Sequence, residues 1–183
     1  MVISRTVLRL SLVIFGTLVL VSYVIGFMRI DDVMSFWGGL RDNGWKFVIP
    51  FMILAIIGFC LFWWTALFTI ENEDMMKLRW PCGQSDGQGG LRLFLALTTF
   101  LVPSMFWLEA TIFHVNHRYS WSPILPIGIL ILVAIGNIMF GLLALAAFQD
   151  GLPGSKRMLV GAILVGIQCI INDAIIWNAM FPW

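Results

Sequence analysis

A helix rises 1.5 Å per residue, so a run of about 20 apolar residues is long enough to cross a hydrocarbon core about 30 Å thick. This chain has five such runs, near Val7 to Met28, Trp45 to Ile70, Leu91 to Phe113, Ile124 to Phe148 and Met158 to Met180. In hydrocarbon a backbone must satisfy its own polar groups, and a run of this length does so as a helix. The expectation is therefore an all-α, polytopic transmembrane bundle of about five spans, forming one transmembrane domain over residues 1–183. Composition agrees: 60% of the 183 residues are hydrophobic and 11% charged, against a usual charged share of about 25% in soluble domains. The first run carries Arg5 and Arg9 ahead of it, as a secretory signal would. Its apolar region is too long for one and no small-residue cleavage site follows, so it reads as a retained anchor.

The basic residues orient the spans. With the N-terminus inside, the inner segments carry Arg5, Arg9, Lys77, Arg79, Arg92, Lys156 and Arg157, and the outer ones carry Arg29, Arg41, Lys46 and Arg118. The excess predicts an N-in, C-out arrangement. Tryptophans divide in the same way. Trp37, Trp45, Trp107, Trp121, Trp177 and Trp183 fall toward the outer boundary, where amphipathic indoles collect, while Trp63, Trp64 and Trp80 fall toward the inner one.

The connections carry few motifs. In "IDDVMSFWGGLRDNGW", Asp31 or Asp32 can cap a short helix that places Val33, Phe36, Trp37 and Leu40 on one face, which suits a segment lying in the outer interface. A plain loop accounts for it equally well. The glycines of "ENEDMMKLRWPCGQSDGQGG" invite a phosphate-loop reading, but there is no GxxxxGK[ST] and no strand before them; a flexible inner loop is expected. Cys60, Cys82 and Cys169 form no CxxC pair and no outer-side pair, so they are expected as free thiols. A net charge of +1 without a Lys/Arg block argues against a nucleic-acid partner. No cofactor signature and no internal repeat is visible.

What remains is the polar residues inside the runs. An ionisable side chain at hydrocarbon depth costs several kcal/mol and calls for a partner. Glu109 lies about seventeen residues into the third run and Asp173 about fifteen into the fifth, which puts both carboxylates at nearly one depth toward the outer side. In the fifth run Ala162, Gly166, Cys169, Asp173 and Trp177 follow helical spacing, and in the fourth Ala134, Asn137, Gly141 and Ala144 do so. Stripes of small residues are what close helix packing requires, so Asp173 is expected to face protein, with Asn137 bonding across the interface. Pro103, about two turns before Glu109, should kink the third helix. Glu109 and Asp173 are therefore expected to face a common interior region, and like charges in one dry pocket cannot both ionise cheaply. As a structural pair they would fix helix register, with Gln168, Asn172 and Asn178 completing the network.

His114 and His117 follow Glu109. His117 lies about 80° from the acid around an ideal helix and His114 about 140°, which favours His117 as its neighbour. Together His114, His117 and Glu109 could hold zinc, iron or copper. The cofactor itself stays unknown. Three functions fit these residues. The leading one is a non-catalytic subunit or scaffold of a membrane assembly, whose partners are the lipid bilayer and other membrane subunits or further copies of itself in a homo-oligomer. The alternatives are a proton-linked transporter or channel using buried carboxylates, and an intramembrane acid-base or metal-dependent enzyme acting on a lipophilic substrate.

Overall fold

In the computed structural model, which describes residues 3–40 and 43–183, every regular element is helical and five helices are long and apolar enough to cross a membrane. They are α1 (Arg5–Phe27), α2 (Gly44–Thr69), α3 (Gly89–His117), α4 (Ile124–Gln149) and α5 (Ser155–Met180). Arg41, counted above among the outer basic residues, lies outside the described residues.

Local chemistry sets where these helices begin, bend and end. Ser4 Oγ accepts the Val7 N–H at 3.4 Å and caps α1. Between α1 and α2, Asp32 Oδ1 accepts the Met34 N–H at 3.0 Å and starts a tight 3-10 helix, Val33–Leu40. Gly38 breaks that helix at φ 51, where a Cβ would meet the Phe181 backbone at 2.9 Å. The segment is thus folded onto the C-terminal end of the chain, where Trp177 Nε1 donates to Phe36 O at 2.8 Å.

The last turn of α2 opens into a π-helix over Thr65–Thr69. Arginines from α1 take up its terminal carbonyls: Arg9 Nη2 donates to Leu67 O at 2.6 Å and Arg5 Nη2 to Ile70 O at 2.8 Å. The Arg9 guanidinium also lies 4.4 Å from the centre of the Phe68 ring. α3 is interrupted after Pro103, turning at Met105 and Phe106 before the helix resumes at Trp107. Proline has no N–H to give to the turn before it, and Ser104 Oγ donates to Phe100 O at 2.7 Å. The connection from α4 to α5 turns through Gly151 (φ 69) and Gly154 (φ 77).

The helices pack in the order α1, α3, α4, α5, α2, each chiefly against the next. α4 is the central element, with half of its apolar window buried, whereas α1 buries only 6% and lies at the edge. Between them Phe62, Trp63, Phe100 and Phe140 form one aromatic core, with Phe62 and Phe140 ring centres 4.8 Å apart. In a bilayer, where lipid tails are as apolar as these side chains, such a bundle would gain mainly from close packing rather than from leaving water. Small residues make that packing possible. Ala134 and Ala162 are buried, a Cβ added to Gly141 would sit 3.8 Å from Ala162 Cβ, and one added to Gly166 would sit 2.9 Å from Asn137 Oδ1. A very close crossing involves a pair that spacing alone did not single out. A Cβ on Gly58 would meet Gly161 O at 2.6 Å, and one on Gly161 would meet Gly58 O at 2.5 Å, so α2 and α5 touch backbone to backbone. Gly136 makes an equivalent approach to Phe100 of α3.

Gly161→Leu is expected to cost on the order of 1 to 3 kcal/mol through overpacking, and Gly166→Leu to cost measurably too. Ile163→Leu, at a side chain 54% exposed, should change little. Chemical unfolding of the three variants in detergent measures the difference, and equal stability would remove these contacts from the account.

Candidate functional site

The middle of α5 is not an α-helix. From Ile167 to Trp177 it is a π-helix of 11 residues, a form that usually occurs as a single turn and often near functional sites. Hydrogen bonding from i to i+5 widens each turn and brings residue i+5 beneath residue i. Gln168 and Asp173 are five apart, and Gln168 Nε2 donates to Asp173 Oδ1 at 2.8 Å. Asn172 Nδ2 in turn donates to Gln168 Oε1 at 3.1 Å. Gln168 and Asn172 are buried and Asp173 is half-buried. Of the network residues named from sequence, these three are joined. Asn178 stands apart, its Nδ2 donating to Ala174 O at 2.9 Å within its own helix. Asn137, on α4, donates to Ala162 O of α5 at 3.2 Å and ties the two helices at their small-residue stripe.

Glu109 takes a different partner from any considered above. Its carboxylate accepts both bonds from Arg29 Nη1, at 3.0 and 3.1 Å, tying the end of α1 to the restarted half of α3. The interruption after Pro103 places Glu109 in the first turn of the Trp107–His117 segment, where a negative charge is favoured by the helix dipole. The side chains of the pair are 59% and 40% exposed. Glu109 is therefore not enclosed, and the two acids expected to face a common interior region take separate partners, Arg29 and Gln168. What spacing could not supply was the rotation of α3 after its break or the reach of Arg29 from α1. The available clue was Arg29 itself, a cation just beyond the same end of the first apolar run.

The histidines part company. His114 is buried, with Nδ1 2.7 Å from Ser122 Oγ, and packs against Phe181 and Trp183. His117 stacks on Phe113 with ring centres 4.6 Å apart while Nδ1 meets Phe113 O at 3.0 Å. Among the described residues no group of three His, Cys, Asp or Glu side chains is placed to share a metal ion, so the set His114, His117 and Glu109 is not assembled. The two histidines are only about 60° apart around the helix, but Ser122 takes the His114 ring, Phe113 takes that of His117, and Arg29 engages the acid.

Around Asp173 the bundle is aromatic. Tyr23 of α1 lies within electrostatic reach of Asp173 and packs on Trp107 with ring centres 6.2 Å apart. Trp107 packs edge-on against Trp177 at 5.6 Å, and its Nε1 is buried without a partner among the described residues. At the N-terminal end of the bundle, ion pairs hold the loops. Arg79 forks onto Asp150, at 2.9 Å from Nε and 2.6 Å from Nη2, and Arg92 onto Asp86 at 2.7 and 2.8 Å. The Arg92 bond pushes the Asp86 carboxyl down to about 2, and Arg79 holds Asp150 below its ordinary value. Both depressions favour the folded loops above the ordinary carboxylate range, and this contribution disappears as pH falls through the depressed values.

Compared with protein-family models, curated proteins and solved structures, the chain matches none.

Breaking the cross-helix pair tests its weight. Glu109→Gln and Arg29→Gln should each cost about 0.2 to 1 kcal/mol, the range of exposed ion pairs, and the double variant should cost less than the two losses added. A double-mutant cycle of unfolding free energies in detergent reads the coupling. Zero coupling would reduce the contact to a coincidence of position.

Proposed function

We propose that the chain is a multi-pass integral membrane protein, N-terminus inside and C-terminus outside, acting as a non-catalytic subunit or scaffold of a membrane assembly. The observation that carries this reading is the fate of the polar side chains within the helices. Asp173 is bonded to Gln168, Asn172 to Gln168 and Asn137 to the Ala162 carbonyl, while Glu109 is held by Arg29. Groups engaged in this way fix helix register and rotation. An open cavity lies away from them, at the N-terminal end among Thr69, Leu152 and Ser155. A second support is the apolar surface left over. α1 carries exposed Leu10, Val13, Leu20 and Val24, and α2 carries exposed Phe47, Ile53, Ile56 and Ile57, so two helices present faces to lipid, to another subunit or to a second copy. The orientation rests on the basic residues, seven of which gather at the N-terminal end.

A proton-linked carrier is the second reading, and one observation favours it. The carboxyl of Asp173 sits on an unusually long π-helix within electrostatic reach of Tyr23. Residues held in strained or rare backbone geometry recur where a protein must switch.

Extraction in a mild detergent followed by mass measurement separates the two readings. A scaffold should be recovered with other membrane chains or as a multiple of its 20.7 kDa mass, and in liposomes it should carry no proton flux above empty vesicles. A lone chain that dissipates a pH gradient, and loses that activity in Asp173→Asn, would replace this reading with the carrier.

A further inference from the structure

Seven basic residues gather at the N-terminal end of the bundle, and five of them are engaged within the chain. Arg5 and Arg9 bond the carbonyls of Ile70 and Leu67, Lys77 pairs with Asp74, Arg79 with Asp150 and Arg92 with Asp86. Lys156 and Arg157 are the exceptions. Among the described residues neither has an ion pair or a side-chain hydrogen bond, and both are exposed. They stand side by side in the first turn of α5 and line an open cavity of about 570 Å³ together with Thr69, Phe148, Leu152 and Ser155.

Three features of this cavity fit an anion. Ser155 is 5% exposed and its hydroxyl has no hydrogen-bond partner among the described residues, so the hydroxyl of a largely buried residue lines the cavity free to bond a ligand. The N-cap residue is Gly154 at φ 77, where a Cβ would meet Thr65 Cγ2 at 2.7 Å. Glycine is required at this position by the close approach of α2, and it brings no side chain to cap the first amides of α5. A helix start without a cap, carrying its partial positive charge, accepts phosphate readily. The two adjacent cations add full charge at the same point. Beyond the cavity the surface turns apolar: Phe148 on its rim is 43% exposed, and the helices leading away from it expose Leu142 on α4 and Val160 on α5. A charged pocket that opens onto apolar helix surface suits a headgroup with its acyl chains attached better than a free anion.

We propose that this cavity binds the phosphate of an anionic phospholipid. Lys156 and Arg157 supply the charge; the Ser155 and Arg157 amides already bond Leu152 O and Gly154 O, so the Ser155 hydroxyl and the Lys156 N–H supply the hydrogen bonds. The assignment rests on the chain being a membrane protein but not on its acting as a scaffold.

Native mass spectrometry of the detergent-solubilised chain, titrated separately with phosphatidylglycerol and phosphatidylcholine, tests it. The chain should retain one phosphatidylglycerol in preference to phosphatidylcholine, and millimolar inorganic phosphate should not displace it. Each cation near an anionic lipid is worth roughly fivefold in affinity, so Lys156→Gln with Arg157→Gln should weaken retention about 25-fold. Lys46→Gln, at an exposed cation on the opposite end, should leave it unchanged. Equal retention of the two lipids, or an unaltered preference in the double variant, would overturn the site. Displacement by inorganic phosphate would overturn the lipid assignment in favour of a free anion. Recovery of every variant in the membrane fraction keeps a failed headgroup site distinct from a failed membrane reading.

Discussion

The backbone contact between Gly58 and Gly161 sets the geometry of the bundle. It lets α2 lie directly on α5, at a separation no side chain at either position would allow. From that crossing the Phe62 and Trp63 rings reach Phe140, which packs on Phe100, and α5 is placed so that Ala162 O meets Asn137 of α4. Gly154 depends on the same proximity, since it is Thr65 of α2 that leaves no room for a larger N-cap. One close approach thus links the aromatic core, the polar tie between α4 and α5, and the uncapped start of α5.

The two ends of the molecule use different chemistry. At the N-terminal end, arginines finish helices and clasp loops, with Arg5 and Arg9 on the π-turn that ends α2 and Arg79 and Arg92 on Asp150 and Asp86. At the other end indoles and rings do most of the packing. Trp177, Phe181 and Trp183 pile onto one another and onto His114, and Trp37 stands beside Trp45. Charged ends and amphipathic aromatic belts are how helical bundles hold their position at a bilayer boundary.

Much of this was legible from hydrophobicity. The five long helices begin and end close to the five apolar runs, because length and apolarity decide whether a segment crosses. Rotation was harder to read. The stripe through Ala162 and Gly166 was visible in the spacing, but Gly161, one residue away, makes the closer contact, and spacing in one helix does not say where its neighbour crosses. The π-helix was invisible, since a stripe drawn at 3.6 residues per turn assumes the α form throughout. Its presence explains why Gln168, five residues before Asp173, is the acid's partner. Arg29 was overlooked for a related reason. It lies outside the apolar run, where a cation usually contacts water, and only the interruption after Pro103 directs Glu109 toward it.

The central claim is that the polar groups inside the helices are structural, and the Gln168–Asp173 bond tests it most directly. Removing one partner of a buried hydrogen bond strands the other, whereas removing both does not. Unfolding free energies of Gln168→Leu, Asp173→Leu and the double variant, measured in one detergent, decide the matter. Because the Gln168 change also leaves Asn172 without its acceptor, the account predicts that the double variant loses less than the two single losses added. Losses that simply add would contradict it, because they would mean that the two side chains hold the fold independently of one another.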